Sequence, residues 1–411
     1  MIERRAAAGA AVVVALAMLA VVLLTTPWTP LAGVPAGDPA TDFTAAQIAR
    51  QHAFRSDVLP WSTLSWVLSL LVPLVIGLTP LGPRLAAWVR VRRWYLAVPL
   101  VVVAVSLAGN LATLAPGVVA ERALRRWGLS TQEWAGWARD RAVGWALGTL
   151  VLVVLALLLA GFSRRWPRWW WVPAGVLAAT LVVAVSFAYP VLVEPRFNAF
   201  TPMPAGSLRD DLMRMAAGDG EPVRDVLVAD ASRRTTSLNA YVSGFGSTRR
   251  IVVYDTLLRR PPGDVRQVVA HELGHARHGD VLRGTLVGAL AVLLAVVLLR
   301  LMAGSRLADP RRTAFLLALV AIGTTVAAPA QNLISRRVET RADVHALDLT
   351  RDPAGFAQMQ RALSLTNLSA LDPRPWRFAM FSTHPTPPQR IELARTWGAR
   401  HGIELPPLAG R

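Results

Sequence analysis

His271-Glu272-Leu273-Gly274-His275 sets two imidazoles and a carboxylate at the spacing of a metal centre. On a helix, residues four apart stand one above the other on the same face, so His271 and His275 can grip one ion together. Glu272 leans to the side, within reach of a water on that ion but outside its ligand set. The competing reading is a surface or core histidine pair; the intervening glutamate argues against it, because the pattern carries the chemistry of zinc-dependent peptide hydrolysis. Chance is a weak rival: with 7 His in 411 residues, a shuffled chain yields roughly 0.003 such motifs.

The surroundings suit a buried helix. Val265, Val268, Val269 and Leu273 recur at helical spacing. Pro261, Pro262 and Gly263 form a turn, Asp264 is the expected N-cap, and Gly279-Asp280 closes the helix. His278 falls off the ligand face and reads as a solvated or capping residue.

Zinc takes three protein ligands at a catalytic site and keeps a fourth position for water. The third ligand is expected at Glu339, in Val338-Glu339-Thr340-Arg341-Ala342-Asp343, 64 residues beyond His275 and after two apolar segments. Asp343, one turn on, faces the same way and can accept a hydrogen bond from a ligating imidazole. Read alone, Glu339 and Asp343 fit equally well on a charged face paired with Arg336, Arg337 and Arg341.

Composition sets the compartment. Hydrophobic residues make up 53% of the chain and mean hydropathy is +0.40, too apolar for an ordinary soluble protein. Seven apolar runs are long enough to span a bilayer, at roughly 7–26, 61–82, 94–116, 142–162, 169–193, 281–303 and 312–333. The first, behind Arg4 and Arg5, reads as a retained anchor rather than a cleaved signal. Asn110, Gln331 and Asn332 lie within spans, and polar groups at that depth face protein or a wet cavity. The organisation predicted is a membrane region at 1–193 with five spans, then a catalytic domain at 194–411 interrupted by a two-helix hairpin at about 281–333. Residues 27–60 read as a polar loop. Solenoid-type repeats are absent from the sequence.

The net charge of +18 is carried wholly by arginine. No nucleic-acid-binding module accompanies it. The arginines cluster beside the spans instead, at Arg84, Arg90, Arg92 and Arg93, at Arg164, Arg165 and Arg168, and at Arg306, Arg311 and Arg312, as topology and anionic lipid require. The expected partners are therefore a lipid bilayer and a protein or peptide substrate, without nucleic acid; the oligomeric state is open. With no cysteine, disulfides and thiolate chemistry are excluded.

With these residues in place, the chain resembles the type-I CAAX prenyl endopeptidases, integral-membrane zinc metalloproteases related to bacterial membrane stress proteases. Glu121 to Asp140, with Arg126-Trp127-Gly128-Leu129-Ser130-Thr131-Gln132, resembles the segment before the family's fourth span. Pro195-Arg196-Phe197-Asn198-Ala199-Phe200-Thr201-Pro202-Met203-Pro204 resembles the stretch after its fifth. Asn239-Ala240-Tyr241, Gly244 and Gly246 resemble the strand lining its substrate cleft, and Thr383-His384-Pro385 with Arg390 its C-terminal motif.

The resemblance implies one zinc ion on His271, His275 and Glu339, Asp343 behind a ligand, and Glu272 as general base. It implies that His384 and Arg390 stabilise the oxyanion or hold the substrate backbone, and that Asn239, Ala240 and Tyr241 pair with an extended substrate. Arg390 has a second reading, a brace through Glu392 or Asp343. Substrates would be membrane-associated, lipidated or misfolded proteins. Two features depart from the pattern. Arg277 stands where many zinc peptidases carry an apolar residue. Positive-inside counting leans towards an extracytoplasmic active site, although the arginine-rich loop at 117–141 counts the other way. A catalytically silent scaffold and a transporter are the alternatives; the first is disfavoured by a complete set of catalytic positions, the second by the absence of paired half-repeats.

The fold predicted is mainly α, a seven-span membrane helix bundle with a zincin-like α+β catalytic domain. Val226-Leu227-Val228 and Arg250-Ile251-Val252-Val253-Tyr254 read as its strands, with the glycine-rich 242–248 as a turn.

Overall fold

The computed structural model describes residues 2–192, 194, 198–244, 246–304, 307 and 309–408. Pro195, Arg196, Phe197 and Arg306, singled out in the sequence, lie outside the described residues. In chain order the helices are α1 (Ile2–Thr25), α2 (Pro39–Asp42), α3 (Ala45–Leu78), α4 (Leu81–Trp88), α5 (Trp94–Ala112), α6 (Leu114–Arg126), α7 (Trp134–Arg165) and α8 (Trp171–Leu192). There follow α9 (Ser207–Gly218), α10 (Pro262–Arg277), α11 (Asp280–Ala303), α12 (Thr313–Thr350), α13 (Pro353–Thr366), α14 (Pro375–Phe381) and α15 (Pro387–Arg400). The strands are β1 (Phe200–Pro202), β2 (Asp225–Ala229), β3 (Ala240–Ser243) and β4 (Arg250–Tyr254).

Among the described residues, α1, α3, α5, α7, α8, α11 and α12 are long and apolar enough to cross a membrane, the seven spans expected. Their outward faces carry bare apolar side chains, with Leu24 86% and Val326 73% exposed. Such a surface is stable against lipid tails, where helices satisfy their own backbone groups. Helix α11 packs on α8 and α1, and α12 packs on α3 and α10. The α3–α12 contact is close because Gly77 has no side chain: a Cβ there would collide with the Ala314 carbonyl.

The four strands form one sheet in the order β1-β2-β4-β3. β2 and β4 run parallel, while β1 and β3 are antiparallel to their neighbours. β3 is therefore an edge, paired only with β4 through Ala240↔Val253 and Tyr241↔Val252. One apolar core joins sheet and helices: Val226, Ile251 and Val253 of the strands, Val265, Val269 and Leu273 of α10, Phe356 of α13, and Ile391 and Trp397 of α15.

Three expectations are corrected. Residues 27–60 are not a polar loop: α3 begins at Ala45, fixed by a capping box in which Thr44 and Gln47 satisfy each other's backbone amides. Phe43 is buried in the catalytic core, with Leu31, Val34 and Ile48 packed against it. The polar residues of 45–60 conceal a helix that rises out of the membrane towards that core. Asp264 is not the N-cap of α10. Pro262 takes the first helical position, where its missing N–H costs nothing, and the Asp264 carboxylate instead accepts from Arg260 Nε at 2.9 Å. Finally, the helix of the seventh span does not stop near 333; α12 runs on to Thr350 and carries Glu339 and Asp343 on the same rod.

The membrane region grips the catalytic domain beside β3. Ser130 forms an antiparallel bridge with Thr235, and Thr131 N–H donates to Arg234 O at 3.2 Å. The Thr235 and Thr236 hydroxyls donate to Leu129 O and Gly128 O at 3.0 and 2.8 Å. The stretch 126–132 thus docks onto the segment leading into the edge strand.

Candidate metal centre

Helix α10 presents His271 and His275 one turn apart, their rings 4.8 Å apart between centroids. Helix α12 brings Glu339 against them. Its Oε2 lies 3.1 Å from His271 Nε2, its Oε1 3.6 Å from His275 Nε2, and the two Nε2 atoms are 3.2 Å apart. The helices approach closely because of Gly274: a Cβ there would stand 3.1 Å from Ala342 Cα and from His345 Cβ. The glycine inside the motif is thus what lets ligands on two helices converge.

Each imidazole is oriented from behind. His271 Nδ1 lies 2.8 Å from Asp343 Oδ1 and donates to it. His275 Nδ1 lies 3.0 Å from Asp280 Oδ2, at the start of α11. Both rings therefore keep Nε2 free for an ion, and both tautomers are fixed by a carboxylate. Asp343 is wholly buried and also receives Arg390, through Nε at 2.8 Å and through its terminal nitrogen. Arg341 holds Asp280 through one terminal nitrogen.

The donor set suits a divalent cation. Ligand atoms of His271, His275 and Glu339 all lie within 4.8 Å of one another, two nitrogens and a carboxylate oxygen being a set that zinc takes. Burial opposes a proton on His275, but hydrogen bonds to Asp280 and Glu339 outweigh it and push its pKa up to about 10. His271 moves the same way, burial being outweighed by Asp343 and Glu339. A cation bound between these atoms replaces those protons.

Glu272 has no hydrogen-bond or ion-pair partner among the described residues. Burial raises its carboxyl above the usual carboxylate range, against the pull of the two histidines. His384 reaches the same place from the other side: its Nε2 lies 3.2 Å from Glu339 Oε2, and its Nδ1 is 2.8 Å from Thr383 Oγ1. Burial lowers its pKa despite Glu339. Arg390 takes the bracing position on Asp343, while Glu392 pairs with Arg395.

Asn239 is exposed just before β3 and lines one cavity together with His384 and Arg390. Ala240, the first residue of β3, is buried. The Tyr241 phenol turns to Glu194 and Tyr254, and its pKa is raised by burial and by the Glu194 charge. Arg277 is exposed and points to Glu221 at 3.9 Å. His278 caps α10, its ring 5.6 Å from that of His345.

Asp280, named in the sequence only for closing the helix, turns out to orient His275. It sits five positions after His275, beyond Gly279 in the left-handed conformation at φ 62°, so helical periodicity does not carry to it. An acidic residue directly after the glycine that closes the helix was the available signal.

Comparison with known proteins agrees with this geometry. Residues 202–398 match the model of peptidase family M48, and residues 40–199 match that of the CAAX prenyl protease N-terminal region, described as five membrane helices. The chain belongs to peptidase family M48. It is a multi-pass integral membrane metalloprotease. Family M48 membership brings a metal cofactor and a protein or peptide substrate.

Among M48 relatives, an uncharacterized metalloprotease, YhfN, of Bacillus subtilis is 27% identical over 303 residues, covering 70% of this chain and 71% of that protein. A CAAX prenyl protease 1 homolog of Oryza sativa subsp. japonica is 33% identical over 240 residues, and the match spans 53% of each chain. The crystal structure of S. mikatae Ste24p superposes with a TM-score of 0.76 at 18% identity, covering 93% of this chain and 97% of that one. It shares the fold.

Proposed function

We propose that the chain is a zinc metalloendopeptidase that cuts membrane-associated proteins, lipidated CAAX-type or misfolded, beside the bilayer. The observation that carries this is the meeting of His271, His275 and Glu339 with an unpartnered Glu272 carboxylate next to them. His271, His275 and Glu339 would hold the ion. Zinc, when bound there, lowers the pKa of water and polarises a carbonyl.

Glu272 is the general base. Its raised pKa brings it closer to neutral pH, where a carboxylate both takes a proton from water and returns it to the leaving amine. His384 is the donor for charge growing on the carbonyl oxygen. A Thr383 hydroxyl that donates to Nδ1 leaves the proton on Nε2, and a lowered pKa keeps that ring neutral at pH 7. Arg390 acts through Asp343, holding the carboxylate that orients His271. The free edge of β3, entered at Asn239, would take an extended substrate as an added strand, leaving Ala240 and Tyr241 to contribute backbone.

The experiment compares wild type with Glu272→Ala in detergent or nanodiscs, on a prenylated CAAX peptide and on an unfolded membrane protein, with zinc measured on the same samples. Cleavage by wild type, lost in the variant with zinc retained, is expected, and the substrate cut distinguishes processing from quality control. A folded wild type that binds no metal would overturn the proposal.

A further inference from the structure

A cavity of about 380 Å³ opens directly beside His384 and Asn239, and its far wall is helix α13. Several polar side chains around it are already committed. Asn367 Oδ1 accepts from Leu238 N–H at 2.9 Å and its Nδ2 donates to Leu238 O at 3.2 Å, which fixes the residue before Asn239. Arg390 is held by Asp343, Thr386 caps α15, Ser364 Oγ donates to Arg361 O, and Thr383 bonds His384.

Gln360 differs from the other uncommitted polar residues of the lining in being buried. It lines the cavity, is 3% exposed, and its Nε2 has no hydrogen-bond partner. A buried amide donor left unpaired is costly and uncommon. The terminal torsion of glutamine is soft and roughly two-fold, so a flip of the amide, which exchanges its oxygen and nitrogen, presents that donor to the space the residue lines. No carboxylate is among the lining residues, whereas Arg390 and His384 are. The cavity therefore suits a hydrogen-bond acceptor and offers a cation no counter-charge.

We propose that this cavity is a specificity subsite, that it takes an acceptor-bearing substrate side chain close to the scissile bond on the His384 side, and that Gln360 reads it. The inference rests on the peptidase reading above. A site built to pair a polar group discriminates by leaving that group unpaired with the wrong ligand. One neutral hydrogen bond gives about a tenfold preference.

The test uses the full chain in detergent, loaded with zinc, on fluorogenic peptides that carry Gln, Leu or Lys at each of three positions on either side of the bond. Wild type is expected to prefer Gln about tenfold in kcat/KM at one position. Gln360→Leu should bring the Gln-to-Leu ratio there to about one, and Gln360→Glu should turn the preference towards Lys. Melting curves establish that both variants fold, and the charge-reversing variant serves if the apolar one does not.

Gln51 of α3, which donates to Ser364 O at 3.0 Å and has an unpaired Oε1, provides the control. It does not line the cavity, so Gln51→Leu should preserve the ratio. Flat selectivity in wild type, an unchanged ratio in Gln360→Leu, or a collapse in Gln51→Leu equal to that in Gln360→Leu would each overturn the subsite and leave the peptidase standing. Zinc-loaded wild type that cleaves no peptide or protein would overturn the peptidase itself, and the subsite with it.

Discussion

Replacing Asp343 with Asn keeps the shape of the side chain and removes a charge that two partners share. The carboxylate receives Arg390 through two nitrogens and His271 through Nδ1, with no exposure to water. Asparagine offers a single acceptor oxygen, and its NH2 must face either a guanidinium or an imidazole N–H, so a donor meets a donor. Arg390 becomes a buried cation that has lost its hydrogen-bonded counter-charge. Breaking such a pair by removing one partner costs about 3–5 kcal/mol, against a total stability on the order of 5–15 kcal/mol.

The same change frees the tautomer of His271, and loss of such an orienting partner weakens metal binding by about 10- to 100-fold. Heat unfolding in detergent, with and without zinc, reads the first effect, and competition titration with a chelator reads the second. The two separate in Asp343→Leu combined with Arg390→Leu. With both charges gone most of the stability should return, while zinc affinity stays low because His271 remains unsupported. Wild-type melting and zinc affinity in Asp343→Asn, or a double variant no more stable than the single, would refute the reasoning.

Asp280→Ala should lower zinc affinity by about tenfold or more by releasing His275, measured in the same titration. Gly274→Val should abolish metal binding while the membrane bundle persists. The added side chain would push α10 away from α12, where even a Cβ stands 3.1 Å from Ala342 Cα; metal content and circular dichroism report the two results. Zinc binding should tighten with pH. His275 carries its proton up to about 10, above its free value, so the ion must expel it, and each proton expelled should raise affinity by up to about tenfold per pH unit between 6.5 and 9. Stability of the metal-free fold runs the opposite way: the contribution of the raised His275 is complete below about 6.5 and is lost as pH climbs through about 10. Melting curves across that range check the sign.

Much of the centre was legible because its parts are local or chemically distinctive. His271 and His275 are one helical turn apart, and that spacing alone brings their nitrogens together. Glu339 and Asp343 share a face for the same reason. What joins the two pairs is not local: Gly274 permits two helices to touch, and a lone glycine in a helix reads equally well as tolerated or as essential. The helix at 45–60 was hidden by polarity, since Gln47, Arg50, Gln51 and Arg55 imitate a loop, although Thr44 and Gln47 already spelled a cap. The partners of those residues, such as Ser364 O for Gln51 and Arg361 for Gln47, lie more than 300 positions away, where no periodicity can point.

Helix α12 is one rod of 38 residues, about 57 Å long, with its lower part among lipid tails and its upper part holding Glu339. Pro329 interrupts its hydrogen-bond ladder ten residues before that ligand, a lever arm of roughly 15 Å. A few degrees of tilt at Pro329 carries Glu339 sideways by on the order of 1 Å, and an error of that size in a catalytic site costs on the order of a hundredfold in rate. Helices answer a change in bilayer thickness by tilting. The thickness of the surrounding membrane is therefore a mechanical input to this enzyme, and acyl-chain length should tune its turnover as directly as any ligand.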